Sequence, residues 1–119
     1  MSKGMKDLFG RPVKEKDIQD MIRAAIAPMA MCFRGNVGKF RTQDGRWMTT
    51  GLPNGFPDLF GFRKKDGKMF FIEVKTCRGK LSEEQKKWRD ILVHEDVIYG
   101  VARDPGEAIE ILKGAEIHE

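Results

Sequence analysis

The chain has 119 residues, of which 40% are apolar and 34% are charged, and its formal net charge is +4. This balance of apolar and charged residues is typical of one globular domain rather than a disordered chain. A membrane protein is excluded because no apolar run approaches the ~20 residues that span a bilayer. The basic N-terminus has no apolar segment behind it, so we expect no secretory signal and a cytoplasmic location.

The first predicted element is an amphipathic helix. Residues 1–11 are polar and show no period, so we expect a flexible arm before a single domain at residues 12–114. From about Pro12 onward, apolar residues recur at the spacing of one helical face, namely Ile18, Met21, Ile22, Ala25, Ile26 and Met29. Pro28 is expected to end or kink this helix. Glu15 lies on or beside the apolar face, where the ordinary interpretation is a solvated charge or a carboxylate that stabilises the positive N-terminal end of the helix.

A basic and aromatic segment follows. Residues 29–33 predict a short strand, and residues 39–56 are weakly patterned, with a turn expected at Asp44-Gly45. The segment interleaves cations with rings, namely Arg34, Lys39, Phe40, Arg41, Arg46 and Trp47. Such a loop suits nucleic acid, which is attracted by charge and stacks on rings. A solubilising loop explains the same composition equally well.

Two β-prone runs, at residues 58–62 and 69–76, are predicted to form a hairpin. The Asp66-Gly67 pair between them is typical of a hairpin turn. Because side chains alternate along a strand, Glu73 and Lys75 should share one face of the second run.

A second helix is predicted after a short basic connection. Ser82 and Gln85 have the spacing of a capping box, which opens a helix that runs to about Val93. Its expected apolar stripe consists of Trp88, Ile91 and Leu92.

The last elements predict the fold class. Residues 97–102 are almost all apolar, as in a buried central or parallel strand. Asp104 and Pro105 should begin a final helix, which ends near Gly114 and leaves residues 115–119 as a tail. A strand–helix–strand crossover therefore predicts an α/β sheet with helices packed against it.

Charge is distributed unevenly along the chain. Residues 1–89 contain 20 Lys and Arg residues against 10 Asp and Glu residues, whereas residues 90–119 contain 2 against 8. We therefore expect polyanions to bind surfaces formed by the first three quarters of the chain. Cys32 and Cys77 lie far apart without histidines at ligand spacing, which favours free thiols over a zinc site.

Asp58, Glu73 and Lys75 form the candidate site. The carboxylates of Asp58 and Glu73, with the carbonyl of Val74, could hold Mg²⁺, which prefers oxygen ligands and keeps several waters. Bound Mg²⁺ can activate water and stabilise the transition state of phosphodiester hydrolysis. Lys75 would stabilise the phosphate anion or assist deprotonation of the water, and both roles stay open. The ordinary alternative is a strand-capping Asp58 and an ion pair between Glu73 and Lys75.

The order of these motifs resembles the PD-(D/E)xK nucleases and, over about residues 13–112, their VRR-NUC branch. The similar pieces are Glu15-Lys16-Asp17-Ile18-Gln19, Arg34-Gly35-Asn36-Val37-Gly38, Gly55-Phe56-Pro57-Asp58, Glu73-Val74-Lys75-Thr76, and Leu81-Ser82-Glu83-Glu84-Gln85 with Trp88. The resemblance implies a restriction-endonuclease-like core of order αβββαβ(α), with a mixed central sheet flanked by helices. It also implies phosphodiester hydrolysis that depends on Mg²⁺ or Mn²⁺.

The resemblance adds residues to the site. It implies that Glu15 approaches the metal, through water, and that Gln85 lines the site, although we expect one glutamine to serve either the capping box or the site, not both. The expected nucleic-acid contacts are Arg34, Asn36, Lys39, Arg41, Arg46, Arg78 and Lys80.

The resemblance also implies partners. Stand-alone members of this branch, often from phages, look like homodimeric enzymes that act on branched DNA such as four-way junctions. We therefore expect a structure-selective DNA endonuclease that works as a homodimer in a bacterial cell or a phage-infected host. An exonuclease, or a non-catalytic nucleic-acid-binding module on the same fold, is the alternative.

Overall fold

The computed structural model describes residues 4–117. Its helices and strands are, in chain order, α1 Glu15–Ile26, β1 Ala30–Arg34, β2 Lys39–Arg41, β3 Trp47–Thr49, β4 Leu59–Arg63, β5 Met69–Val74, α2 Glu83–Leu92, β6 Ile98–Ala102 and α3 Pro105–Leu112. The three predicted helices are therefore all present, and α1 begins at Glu15 rather than at Pro12.

A mixed sheet in the order β1-β4-β5-β6 forms the centre of the fold. The first two pairs are antiparallel, and β5 pairs with β6 in parallel. The predicted turn joins β4 to β5, and Gly67 within it has a φ of 72°, which favours glycine. The parallel pair requires a long crossover, and α2 supplies it. These features confirm the predicted α/β class and a restriction-endonuclease-like core. The strand β6 lies at the edge of this sheet and pairs in parallel with β5, so the parallel strand is the one of the two expected alternatives that is found.

Both faces of β5 are covered, which brings the polar residues at its end into the interior. Phe70, Ile72 and Val74 pack on one face with α1 and α3. Phe71 packs on the other face with Leu92 of α2 and other apolar residues. This alternation follows the two-residue period of a strand. Because helices lie on both sides, side chains that point to either face are buried from Phe70 to Val74 of β5.

The N-termini of α2 and α3 carry the predicted caps. In α2, Oγ of Ser82 accepts a hydrogen bond from the N–H of Gln85, and Oε1 of Gln85 accepts one from the N–H of Ser82. In α3, Asp104 accepts from the N–H of Glu107 at 2.8 Å. The predicted apolar stripe of α2 is wrong at Ile91, which is 52% exposed. Trp88 and Leu92, four residues apart, face the sheet instead, and Ile91 falls on the adjacent, solvent-facing side of the helix.

The segment interpreted as a weakly patterned loop contains a second, two-stranded sheet. β2 and β3 pair antiparallel, with Lys39 opposite Thr49, Phe40 opposite Met48 and Arg41 opposite Trp47. The turn at Asp44-Gly45 lies between them, as predicted. Every residue of both strands is exposed. The strands were missed because burial imposes no apolar and polar alternation on them.

The ends of the described chain make contacts with the domain. Met5 packs against the core, and its carbonyl accepts a hydrogen bond of 3.1 Å from the N–H of Val13. The carbonyl of Ile117 accepts a hydrogen bond of 2.6 Å from the N–H of Val101. The division into an arm, a domain and a tail stays a prediction, and its residues 1–3 and 118–119 lie outside the described part of the chain. Over residues 4–117, no helix has both the length and the apolar character needed to cross a membrane.

Candidate active site

The site begins where β4 and β5 part. Leu59 and Ile72 are their last paired residues at this end, and Asp58 stands just before β4. There the N–H of Val74 donates a hydrogen bond of 2.8 Å to Oδ2 of Asp58. A carboxylate thus takes the position of a main-chain partner at the end of the sheet, and this bond holds Asp58 against β5.

The carbonyl of Val74 lies on the same edge of β5 as Asp58. The N–H of the next residue, Lys75, donates to the carbonyl of Ala102 on β6 at 3.1 Å. Because successive residues of a strand direct their main-chain groups to opposite edges, the N–H and C=O of Val74 both point away from β6. The predicted third oxygen is therefore on the Asp58 side of the strand.

Glu73 is almost completely buried beside Asp58. Its side chain is 1% exposed, and its Oε1 accepts a hydrogen bond of 3.2 Å from Nε2 of Gln85. Burial and the adjacent Asp58 carboxyl together raise the pKa of Glu73 to about 10, although the Lys75 ammonium lowers it. Two carboxyl groups this close resist simultaneous ionisation, so the pair keeps a proton when no cation neutralises it.

Glu15 and Lys75 belong to the same electrostatic cluster. Glu15, the first residue of α1, is half-buried, and its pKa is raised by burial and then by the charge of Asp58, whereas Lys75 lowers it. Lys75 is 9% exposed. The structure thus brings Glu15 towards Asp58, Glu73 and Lys75, which the helical period alone could not indicate.

Gln85 makes two contacts that we expected to exclude each other. Its Oε1 accepts from the N–H of Ser82 at 2.8 Å, while its Nε2 donates to Glu73. The expectation that it would serve only one purpose is wrong, because the two ends of its amide point in different directions. The capping box therefore also orients a donor towards the buried carboxyl group.

Arg103 is a residue that the sequence did not single out. Its Nη1 donates to the carbonyl of Thr76 and, at 2.8 Å, to that of Gly79. These bonds hold the connection that follows Lys75. No local motif marks an arginine after a buried strand, so only the packed structure identifies this contact.

The donors around Asp58 fit a divalent cation. Within residues 4–117, no three His, Cys, Asp or Glu side chains are grouped so that they could hold a metal by themselves. Asp58, Glu73 and the carbonyl of Val74 offer a smaller set, and Mg²⁺ needs only one or two carboxylates because it keeps several waters. A divalent cation can bind such a pair of carboxyl groups, the buried Glu73 and the half-buried Asp58, by displacing the proton that they retain.

The predicted nucleic-acid contacts are all exposed, namely Arg34, Asn36, Lys39, Arg41, Arg46, Arg78 and Lys80. The loop after β1 lies next to the site, because the N–H of Gly35 donates to the carbonyl of Asp58 at 2.7 Å. A Cβ on Gly35 would come within 2.3 Å of the Pro57 carbonyl, so this approach requires glycine. Arg46 pairs with Asp44 at 3.0 Å, which offsets its charge. That these seven residues contact nucleic acid stays a prediction.

Comparison with known proteins identifies the family. The family model described as the VRR-NUC domain matches residues 13–104. Searches of curated proteins and of solved structures found no match. The matched region covers most of the chain and includes all five residues of the electrostatic and hydrogen-bonded cluster, Glu15, Asp58, Glu73, Lys75 and Gln85. The chain therefore belongs to the VRR-NUC family and contains a nuclease-type, DNA-processing domain.

Proposed function

We propose that this protein is a divalent-metal-dependent, structure-selective endonuclease that hydrolyses phosphodiester bonds in branched DNA. The observation that carries the proposal is the buried Glu73 carboxyl group beside Asp58, at the parting of β4 and β5. Burying Glu73 beside the half-buried Asp58 is costly for a purely structural protein, because a buried carboxylate loses its hydration. A metal site offsets this cost, and Lys75 adds the cation that a phosphate substrate needs.

Each residue of the cluster then has a chemical role. When bound by Asp58, Glu73 and the carbonyl of Val74, Mg²⁺ or Mn²⁺ would supply Lewis-acid chemistry. As an ammonium, Lys75 would stabilise negative charge on the scissile phosphate, whereas as a neutral amine it would take a proton from the attacking water. Gln85 holds one oxygen of Glu73 and so fixes its orientation. Glu15 would hold a water on the α1 side of the site.

The choice of DNA as substrate is supported by charge as well as by family. Exposed cations lie on the loop after β1, at Arg34, and on the connection after β5, at Arg78 and Lys80. Both segments adjoin the site, because the first contacts Asp58 and the second follows Lys75 directly. Such an arrangement would bind the phosphates of a strand that passes across the carboxyl pair.

Asp58→Asn is expected to lower cleavage by at least about 100-fold, because removing even an outer partner of a metal ligand costs 10–100-fold in affinity or activity. The assay uses labelled four-way junction, flap, duplex and single-stranded DNA with Mg²⁺, Mn²⁺ or EDTA. We expect cutting in Mg²⁺ or Mn²⁺ but not in EDTA, with branched DNA preferred.

Asp20→Asn is the matched control, since Asp20 is exposed on α1 and lies outside the cluster. This control should cut like the unchanged protein. Equal cutting by Asp58→Asn would overturn the assignment of the site. Salt-sensitive DNA binding without cutting or Mn²⁺ binding would point to the non-catalytic module instead.

We also propose that the protein is a homodimer, because symmetric cutting of a junction requires two sites related by a two-fold axis. The proposal is supported by a row of exposed apolar side chains on the α2 side of the sheet. Met31, Phe62 and Met69 are neighbours across β1, β4 and β5, and each is 40–44% exposed. This row ends at β1, an outer strand of the sheet, where a second copy could pack.

Phe62→Glu is expected to convert the dimer to a monomer, because the interface would bury the new charge. The single chain should stay folded, because residue 62 is exposed there. Light scattering at micromolar concentration measures the mass. The control is Ile91→Glu, which places the same charge at an exposed apolar residue of α2. A monomeric unchanged protein that still cuts junctions symmetrically would contradict the prediction.

A further inference from the structure

The hairpin formed by β2 and β3 has two chemically different faces. Cross-strand partners share a face, so Phe40 and Met48 lie on one side. Lys39, Arg41, Trp47 and Thr49 lie on the other, which we call the cationic face. On it, the guanidinium of Arg41 sits 5.0 Å from the centroid of the Trp47 ring. A ring and two cations are thus arranged side by side on one surface.

The cationic face is open to solvent. Trp47 is 65% exposed, and every residue of both strands is exposed. The tip contains its own polar partners, because the N–H of Thr42 donates to the carbonyl of Arg46 at 2.9 Å and Asp44 pairs with Arg46 at 3.0 Å. The hairpin is therefore held by its own hydrogen bonds rather than by a covering layer. An exposed tryptophan of this kind presents a large apolar surface to a partner.

The incoming end of the hairpin is tied to the candidate active site, and its outgoing end is tied to the incoming one. On the incoming side, Gly35 bonds to the main chain of Asp58. On the outgoing side, the N–H of Thr50 donates to the carbonyl of Gly38 at 3.0 Å, and the chain then reaches Asp58 after eight more residues. Trp47 lies three residues before Thr50, or ~10 Å along an extended strand. A strand of nucleic acid at the site would pass within reach of the cationic face.

We propose that the cationic face binds unpaired nucleotides beside the scissile phosphate, with a base stacked on Trp47 and phosphates at Lys39 and Arg41. An exposed ring reaches the face of a base only where the base is not already stacked in a duplex. The hairpin would therefore select DNA with single-stranded character near a branch. The placement beside the scissile phosphate rests on the proposed nuclease function, but the binding itself does not.

The test follows the fluorescence of Trp47 in the Trp88→Phe protein, where it is the remaining one of two tryptophans. Trp88→Phe keeps an aromatic ring against Phe56. An oligonucleotide of about twelve nucleotides, single-stranded or as a blunt duplex, is titrated in EDTA so that no cleavage occurs. We expect strong quenching by the single strand and weak quenching by the duplex.

Affinities of variants in the same buffer separate stacking from charge. Trp47→Ala should weaken single-strand binding roughly tenfold, whereas Trp47→Phe should bind nearly as well as the unchanged protein. Lys39→Gln and Arg41→Gln should each reduce the slope of log affinity against log salt by about 0.7. Met48→Ala, on the opposite face, is the matched control and should change neither affinity nor slope.

Equal quenching by single strand and duplex, or full affinity in Trp47→Ala, would overturn the proposal. So would a response of Trp47 to anionic lipid vesicles but not to oligonucleotides, which would assign the face to a membrane surface. Because binding is measured without metal, these outcomes are independent of cutting. A protein that binds single strands through Trp47 but does not cut would refute the nuclease proposal and leave this one standing.

Discussion

Glu73→Gln is expected to abolish metal-dependent cleavage and, at the same time, to stabilise the metal-free protein above neutral pH. Glutamine has the shape of a protonated glutamate and can donate to Asp58, but it carries no charge to hold a cation. The loss of cleavage follows from the removal of one of the two carboxylates proposed to bind the metal. The gain in stability follows from the pKa of Glu73, which burial and Asp58 raise to about 10.

The sign of the pH dependence is set by where the proton is bound. Between about pH 4.5, where an unfolded glutamate ionises, and pH 10, the folded protein keeps a proton on Glu73 that the unfolded chain releases. The stability supplied by Glu73 is therefore complete below pH 4.5 and is lost as the pH rises towards 10. At pH 7.5 the free energy of unfolding is therefore roughly 2–4 kcal/mol lower than below pH 4.5, since each pH unit in this range costs up to about 1.4 kcal/mol.

Urea unfolding in EDTA at about pH 5 and pH 8 measures this difference. The unchanged protein should lose stability between the two values, whereas Glu73→Gln should lose less and be the more stable protein at the higher pH. Glu110→Gln, at an exposed position of α3, is the control and should not differ in this way. A Glu73→Gln protein that still cuts DNA, or that is less stable at pH 8, would contradict the prediction.

Lys75→Met is expected to lower cleavage by about 10²–10⁴-fold, which is the contribution typical of a side chain positioned to transfer a proton in the transition state. Methionine keeps the apolar stem of the largely buried Lys75 but removes its charge. Lys75 lowers the pKa values of both Glu73 and Glu15. Without it, protons compete more strongly for the carboxylates, so metal affinity near neutral pH should also fall.

Calorimetric titration with Mn²⁺ and single-turnover cleavage, both across about pH 6–9, separate these two effects. The metal affinity of Lys75→Met should recover as the pH rises, while cleavage should stay low even when metal is saturating. Lys113→Met, at the exposed end of α3, should leave both quantities unchanged. If cleavage recovered fully with metal affinity, Lys75 would act only on the carboxylates and not on the phosphate or water.

Some of the site could be predicted because its signals are local. Alternation along β5 places Glu73 and Lys75 on one face of a strand, and the Asp-Gly turn pairs β5 with β4, which begins directly after Asp58. The capping box of α2 was likewise predictable, since its two hydrogen bonds join Ser82 to Gln85, three residues apart. The spacing could not show that the other end of Gln85 reaches Glu73, because that contact depends on how α2 packs against the sheet.

The sequence alone determined the helices, the central hairpin, the crossover and the basic character of the first three quarters, because periodicity, turn chemistry and charge are properties of neighbouring residues. The packed fold was needed to show how far Glu73 is buried, how Glu15 of α1 approaches Asp58, and which carbonyls Arg103 contacts. It was also needed to show that β2 and β3 form an exposed hairpin with two chemically different faces. These features depend on long-range packing or on the absence of burial, and neither leaves a period in the sequence.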